Sequence, residues 1–205
     1  MEDLSVISSV QYRSGRLSVD GRMLCDSSAS STEAIINAYR AQGIDHPKFF
    51  KMDPNAQLAV VAVEPLFQRI AQLPDLDRDR IGLVHLSRHG SLEIDAHYWN
   101  TYTSEHLASP AAFVYTLPNI ALGEVGIRHR LHGASFCLLS DAPRTDLLLA
   151  AAEQMIAQEG MRHVVCGWSD IFAGRATATF LLVSTNVGQT WREEEIERLF
   201  NDERN

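Results

Sequence analysis

Short apolar runs along the chain predict a set of β-strands. The run at 81–86 is apolar apart from His85, which is typical of a strand that is buried on both faces. Near the N-terminus, Ser14 and Gly15 predict a turn between two shorter strands. The predicted strands are 4–12, 17–19, 81–86, 135–139, 162–166 and 177–187.

Between these strands, apolar residues at helical spacing predict helices. The clearest stripe lies in 55–72, although Pro65 is expected to kink or divide that helix. Proline in the first turn, at Pro118 and Pro143, marks two further helix starts. Helices that alternate with short strands indicate a layered α/β fold, with residues 1–205 as a single domain. The predicted helices are 32–43, 55–72, 116–133, 142–158 and 191–201.

The predicted helix 142–158 stands out because it is apolar on every side. Residues 147–152 read LLLAAA, and Met155, Ile156 and Ala157 follow. An ordinary surface helix carries an apolar stripe about 100° wide and is polar elsewhere. This helix therefore requires cover on two sides, whereas the strands of the chain supply one. We expect a partner to cover the other side.

Composition and charge narrow the classes of function. The net charge of −8 argues against a nucleic-acid partner, because phosphate binding needs clustered Lys and Arg. Arg128, His129 and Arg130 do form a basic stretch, but they end a predicted helix, where cations match its dipole. No apolar run approaches the roughly 18 residues of a membrane span, and the N-terminus lacks an export signal, so we expect a cytoplasmic protein. The three cysteines form no CxxC pair, which argues against a disulfide framework or a zinc site.

Several segments resemble one family when they are taken in order. The segment 133–140 reads GASFCLLS and resembles the strand before the active site of β-ketoacyl synthases, in the thiolase superfamily. The similarity continues without a gap to the VVCG sequence at 164–167, and upstream it includes the LPN sequence at 117–119. It spans about 49–187. The segment 113–120, FVYTLPNI, is also similar to short ketosynthase-like proteins of aryl polyene and flexirubin-type pathways.

The resemblance implies a thiolase-like half, with a mixed β-sheet flanked by helices, and it also implies that catalysis is missing. On the ungapped match, Ala142 occupies the position of the nucleophilic cysteine, and alanine cannot be acylated. Cys137 lies five residues earlier, inside the strand, and is interpreted as a core thiol. The family's catalytic histidines belong to a C-terminal half that has no counterpart here. We therefore expect no catalytic residue, no cofactor and no metal.

What remains is the role of a non-catalytic subunit in type II fatty-acid or polyketide-like biosynthesis. Such a subunit would form a homodimer, or a heterodimer with a ketosynthase, and would support that partner or an acyl carrier protein. In this family the strand before the nucleophile pairs across the dimer two-fold, and the helix after it lies in a layer between the two halves. The expected interface residues are Phe136, Cys137, Leu138, Leu139, Leu147, Leu148, Ala151 and Met155. The expected acyl-pocket residues are Phe113, Tyr115 and Asn119.

An enzyme remains as the alternative. Arg88, His89 and Gly90 resemble the signature of histidine phosphatases, in which the histidine is phosphorylated and arginines hold the phosphate. His85, His89, Asp95 and His97 also offer imidazole and carboxylate ligands to zinc or iron, as a metal hydrolase would require.

Overall fold

Seven strands form one mixed sheet in the order β3-β2-β1-β7-β6-β4-β5. The computed structural model describes residues 4–74, 76–185, 188–190 and 193–201, with the side chains of residues 193 and 201 excepted. The strands are β1 Ser5–Arg13, β2 Arg16–Val19, β3 Arg22–Asp26, β4 Ile81–Ser87, β5 Ser135–Leu139, β6 His163–Phe172 and β7 Arg175–Ser184. Residues 186–187 of the last predicted strand and 191–192 of the closing helix lie outside the described residues.

Strand directions make the sheet mixed, as expected. β4 runs parallel to both of its neighbours, β5 and β6, whereas β7 runs antiparallel to β6 and to β1. In this register His85 of β4 lies opposite Cys137 of β5 and Gly167 of β6. The three strands thus bring together residues that are far apart in sequence.

Helices cover both faces of the sheet. Of the described helices, α1, α2 and α5 contribute to the core on one face, and α6 and α7 contribute to the core on the other. No helix among the described residues is long and apolar enough to cross a membrane. The helices are α1 Ser31–Ala41, α2 Pro54–Ile70, α3 Leu92–Glu105, α4 Pro110–Phe113, α5 Ile120–His129, α6 Thr145–Glu159 and α7 Glu193–Asn201.

Helix α2 is enclosed by this chain and runs unbroken through Pro65, so the predicted division of the helix is wrong. Proline at 65 removes the N–H that would bind the carbonyl of Val61. The side-chain amide of Gln42 donates to that carbonyl instead, at 3.0 Å. At its start, Asp53 caps the helix by accepting from the backbone N–H groups of Asn55 and Ala56.

Helix α6 begins at Thr145 rather than at 142, because Ala142 and Pro143 belong to the preceding loop. It buries one narrow stripe against the sheet and leaves Leu147 39% exposed. The described chain therefore does not enclose this helix, which keeps the expectation of further cover open. The buried residues of the stripe are Thr145, Leu148, Ala152 and Met155.

Three elements were not predicted, α3, α4 and β3. None of the side chains of α3 is buried, so the helix has no apolar stripe by which its sequence could be identified. β3 follows a turn at Asp20 and Gly21 and forms the edge of the sheet opposite β5. Four of its five side chains are exposed, which leaves no alternating burial pattern.

Candidate functional site

Strand β5 forms an unprotected edge of the sheet. Among the described residues it pairs with β4 alone, so the backbone groups on its outer side have no strand partner. Phe136, Leu138 and Leu139 are 37%, 40% and 60% exposed. Natural edge strands are usually protected by charge, proline or a bulge, and β5 contains no charged residue and no proline. Among the described residues, these features leave β5 open along its outer side.

Leu147 of α6 is a further exposed apolar side chain, at 39%, whereas two expected interface residues are buried. Leu148 and Met155 are 1% and 0% exposed and lie in the chain's own core, so the expectation that they contact a partner needs correction. Ala151 is partly buried against the same core. We call Phe136, Leu138, Leu139 and Leu147 the edge surface.

A groove of about 970 Å³ lies between α5 and β5. Gly123 and Gly126 of α5 form part of one wall, beside Ile127, which is 62% exposed. Cys137 lines the wall formed by β5. Arg130 is at the end of α5 and contributes a cation to the lining.

A buried polar chain begins at Cys137. Its thiol lies 3.9 Å from Nδ1 of His85, whose Nε2 lies 2.8 Å from the Ser169 hydroxyl. The hydroxyl of Ser169 donates to Oδ1 of Asn55 at 3.0 Å, so Nε2–H of His85 is the donor to Ser169. This order leaves Nδ1 unprotonated and directed at the thiol.

The Cys137–His85 contact is between neutral groups. Complete burial lowers the pKa of His85 to about 4. Burial also raises the pKa of the Cys137 thiol to about 11, so no thiolate is available near neutral pH. The pair lacks the ionised form that a nucleophile requires. Its two members come from separate strands, and only the strand register, which the sequence did not reveal, brings them together.

Asp170 organises the loop that follows β4. Its carboxylate accepts the Ser87 hydroxyl at 2.9 Å and the backbone N–H groups of Arg88 and His89 at 3.0 and 2.8 Å. A fourth contact, of 2.6 Å, joins its other oxygen to Nδ1 of His89. The His89 ring also stacks on Phe172, with centroids 4.1 Å apart. These contacts make His89 part of a loop anchor.

The residues of the alternative metal site are not brought together. His85 is buried in β4, and His89 pairs with Asp170. On α3, Asp95 accepts the Ser91 hydroxyl and His97 is exposed. Within the described ranges, no three His, Cys, Asp or Glu side chains are placed to share a metal ion.

Ala142 lies in the loop between β5 and α6, at the carboxyl end of the parallel strands. The backbone N–H of Ser140 donates to the Ser87 carbonyl at 3.0 Å, and the Ser140 hydroxyl donates to the Ala142 carbonyl at 2.9 Å. Ala142 itself contributes only a methyl group to this loop. The position that the resemblance assigns to the nucleophile is therefore held by hydrogen bonds but carries no reactive group.

The three expected acyl-pocket residues do not line one pocket. Phe113 is 60% exposed. Tyr115 is buried and donates its hydroxyl to Glu124 at 2.9 Å, which gives it a place in the core. Asn119 is exposed and lies at the groove between α5 and β5. Of the three, Asn119 alone lines that groove.

An ionic contact fixes α5 on α2 beneath the groove. Arg128 donates to both carboxylate oxygens of Glu64, at 2.6 and 2.8 Å, and to the Asp45 carbonyl at 2.8 Å. Burial alone would raise the pKa of Glu64, but the hydrogen bonds from Arg128 and the proximity of His129, whose Nε2 lies 3.4 Å from Oε2 of Glu64, lower it to about 2. Arg128 therefore holds α5 against α2. Its role is larger than the favourable interaction with the helix dipole that the sequence suggested.

No protein-family model matches the sequence, and no curated protein matches it either. Solved structures do match. The ishigamide ketosynthase/chain length factor aligns with a TM-score of 0.64 and 16% identity over 89% of this chain and 62% of that one. The ketosynthase ApeO in complex with its chain length factor ApeC, from Xenorhabdus doucetiae, gives 0.56 and 19% over 92% of this chain and 81% of that one.

A β-ketoacyl synthase from Burkholderia phymatum STM815 gives a TM-score of 0.59 and 12% identity over 98% of this chain and 62% of that one. This chain therefore spans less than two thirds of the length of that synthase and of the ishigamide protein. At these identities the matches establish the fold, which is the thiolase-like fold of ketosynthases, as the resemblance implied.

Proposed function

We propose that this ketosynthase-like chain is a non-catalytic subunit of a type II fatty-acid or polyketide-like pathway, with aryl polyene biosynthesis as the favoured case. It associates with a ketosynthase and supports that partner's work on carrier-bound acyl chains. The observation that carries the proposal is the edge surface, which combines an open apolar strand edge with an exposed leucine on a partly covered helix. Neighbours of the same fold include one structure named as a complex of a ketosynthase with its chain length factor.

The absence of condensation chemistry rests on two residues. Ala142 provides no nucleophile at the position that the resemblance assigns to it. Cys137, the nearest thiol along the chain, is held neutral by burial and faces a neutral His85. A neutral thiol is a poor acyl acceptor, because the thiolate is the reactive form. Both features support a subunit that assists catalysis in another chain.

The edge surface supplies a reason to associate. Complete burial of a large apolar side chain is worth about 1.5–3 kcal/mol, and Phe136, Leu138, Leu139 and Leu147 are each partly exposed. Pairing along β5 would also satisfy the backbone groups on its outer side. Because β5 carries no charge, pairing with a second copy or with a ketosynthase meets no like-charge repulsion within the strand.

Mass measurement by light scattering tests the proposal. The chain is measured alone and mixed with each ketosynthase encoded by its source genome, at micromolar concentration. The expected result is a complex that Leu138→Lys dissociates, because an edge lysine opposes strand pairing. The matched control is Leu24→Lys on β3, the opposite edge, where Leu24 is 48% exposed. A monomer in every mixture, or equal dissociation of the complex by Leu138→Lys and Leu24→Lys, would contradict the proposal.

A further inference from the structure

A small pocket lies where α2 and α5 end, next to the first residue of β4. Its apolar lining includes Phe67, Ile70 and Ile81. Its volume of about 190 Å³ is below the range of about 300–1,000 Å³ that is typical of drug-sized ligands, so the pocket suits a compact group. Among the described residues, no member of β5 or of the edge surface lines it, which separates this pocket from the surface assigned to a partner.

The lining of this pocket is basic. Among the described residues it contains Arg78, Arg128, His129 and Arg130, and it contains no Asp or Glu. Burial lowers the pKa of His129, so the three arginines supply the positive charge near neutral pH. The chain as a whole has a net charge of −8, and a concentrated positive charge on such a chain complements an anion.

Two of these arginines are unpaired. Arg128 donates to Glu64. The guanidinium groups of Arg78 and Arg130 make no hydrogen bond or ion pair within the part of the chain that the structure describes. They belong to different elements, since Arg78 begins the 3-10 turn Arg78–Arg80 and Arg130 follows the last residue of α5. The fold therefore brings two free guanidinium groups from separate segments to one small pocket.

The carboxylates beside Arg78 in the sequence have other partners. Asp79 lies 2.8 Å from Nδ1 of His132, and Asp77 accepts the backbone N–H of Asp79. Neither carboxylate lines the pocket. An anion in the pocket would therefore meet cations without a competing carboxylate among the described lining residues.

The backbone at Arg130 supplies an independent observation. This residue ends α5 in the left-handed region, with a φ of 54°. Glycine and asparagine are the usual residues there, because other side chains are strained in that conformation. Strain of this kind is retained where the residue has a use, and no contact within the described chain uses the Arg130 guanidinium. A ligand of that guanidinium would account for the arginine.

We propose that this pocket binds a phosphate group through the guanidinium groups of Arg78 and Arg130. The planar fork of an arginine matches the oxygens of a phosphate, and the pocket has room for one such group, either free or at the end of a larger molecule. The pocket lies at the amino end of β4, whereas Ala142 lies at the carboxyl end of the parallel strands. The site requires no partner subunit and is remote from the nucleophile position, so it goes beyond the proposed function.

Calorimetric titration of the whole chain with inorganic phosphate, at fixed ionic strength, tests the site. Phosphate is expected to bind one site per chain, and Arg78→Gln and Arg130→Gln should each weaken its binding by about ten-fold. Arg22→Gln, at an exposed position of β3, is the matched control and should bind phosphate as the wild type does.

Phenyl phosphate, titrated in parallel, identifies the source of the group. Tighter binding of phenyl phosphate indicates a phosphorylated molecule, and tighter binding of inorganic phosphate indicates the free ion. Either outcome supports the site, because both ligands present the same oxygens to the two arginines.

Arg130→Gly separates binding from folding. Glycine adopts a positive φ without strain, so this variant should be at least as stable as the wild type in urea unfolding. It should nevertheless lose phosphate affinity as Arg130→Gln does. A loss of binding in a protein that is not destabilised cannot come from a damaged fold.

Three results would overturn the site. One is no binding of either phosphate up to millimolar concentration. Another is an affinity that both Arg78→Gln and Arg130→Gln leave unchanged, which would put the anion elsewhere. The last is equal weakening by Arg22→Gln, which would show a general charge effect. Leu138→Lys should leave phosphate binding intact, so failure of the partner proposal is distinguishable from failure of this one.

Discussion

Helices α2 and α6 lie on opposite faces of the same sheet and differ in how completely this chain covers them. In α2, 14 of 17 side chains are buried, by the sheet on one side and by α1 and α5 on the other. In α6, 4 of 15 are buried, all in one stripe against the sheet. Within the described residues, the polypeptide covers α2 on both sides and leaves α6 partly open, and it also leaves the β5 edge of the sheet unpaired.

The largest expected effect is a difference in the free energy of unfolding between substitutions in the two helices. Leu66→Ala in α2 should lower the free energy of unfolding by about 2–5 kcal/mol, because its side chain is fully buried. Leu147→Ala on the open side of α6 should change it by less than about 0.5 kcal/mol in the isolated chain. Urea unfolding with an unchanged m-value measures both. Equal losses of unfolding free energy at the two positions would contradict the difference in burial between α2 and α6.

The capping carboxyl of α2 gives a pH test that α6 lacks, since no side chain caps α6. Burial raises the pKa of Asp53 from 3.8 to about 6, so the folded state binds its proton more tightly than the unfolded chain does. Stability should therefore fall as pH rises through this window, by up to about 3 kcal/mol. Asp53→Asn keeps a capping side chain and should flatten that fall. An unchanged pH profile in the variant would refute this role.

The support that Gln42 gives to α2 is a smaller effect with a built-in control. Gln42→Ala should cost about 1–3 kcal/mol, because the buried carbonyl of Val61 loses its donor. In a Pro65→Ala background the helix N–H returns, so the same change should cost much less. A double-mutant cycle measures the coupling. Additive effects would show that the amide of Gln42 does not replace the missing helix bond.

The smallest expected change in the stability of the isolated chain is that of Leu147→Ala, and this substitution should instead lower the affinity for a partner. Leu147→Ala is expected to leave folding unchanged and to weaken association with a ketosynthase by several-fold, since a partly exposed leucine becomes buried there. Titration calorimetry against the partner gives the affinity. Ala157→Ser, at an exposed α6 position outside the edge surface, is the control and should leave the affinity for the ketosynthase unchanged.

Periodicity was sufficient to predict most of the framework. Alternation and apolar runs located six of the seven strands, and helical spacing located α2 and α5. What it missed depends on contacts between distant residues. Gln42 donates the hydrogen bond that Pro65 cannot make, and the strand register places His85 next to Cys137. For α6, the composition indicated an apolar helix. It did not show that Leu148 and Met155 are buried in the chain's own core while Leu147 is exposed.

The most direct test of the account is hydrogen exchange of the two edge strands, with and without a ketosynthase. If a partner completes this fold along β5, the backbone amides of Ser135–Leu139 should become protected in the mixture while those of Arg22–Asp26 exchange as before. Equal exchange of Ser135–Leu139 in both samples, with the ketosynthase demonstrably bound, would contradict the account.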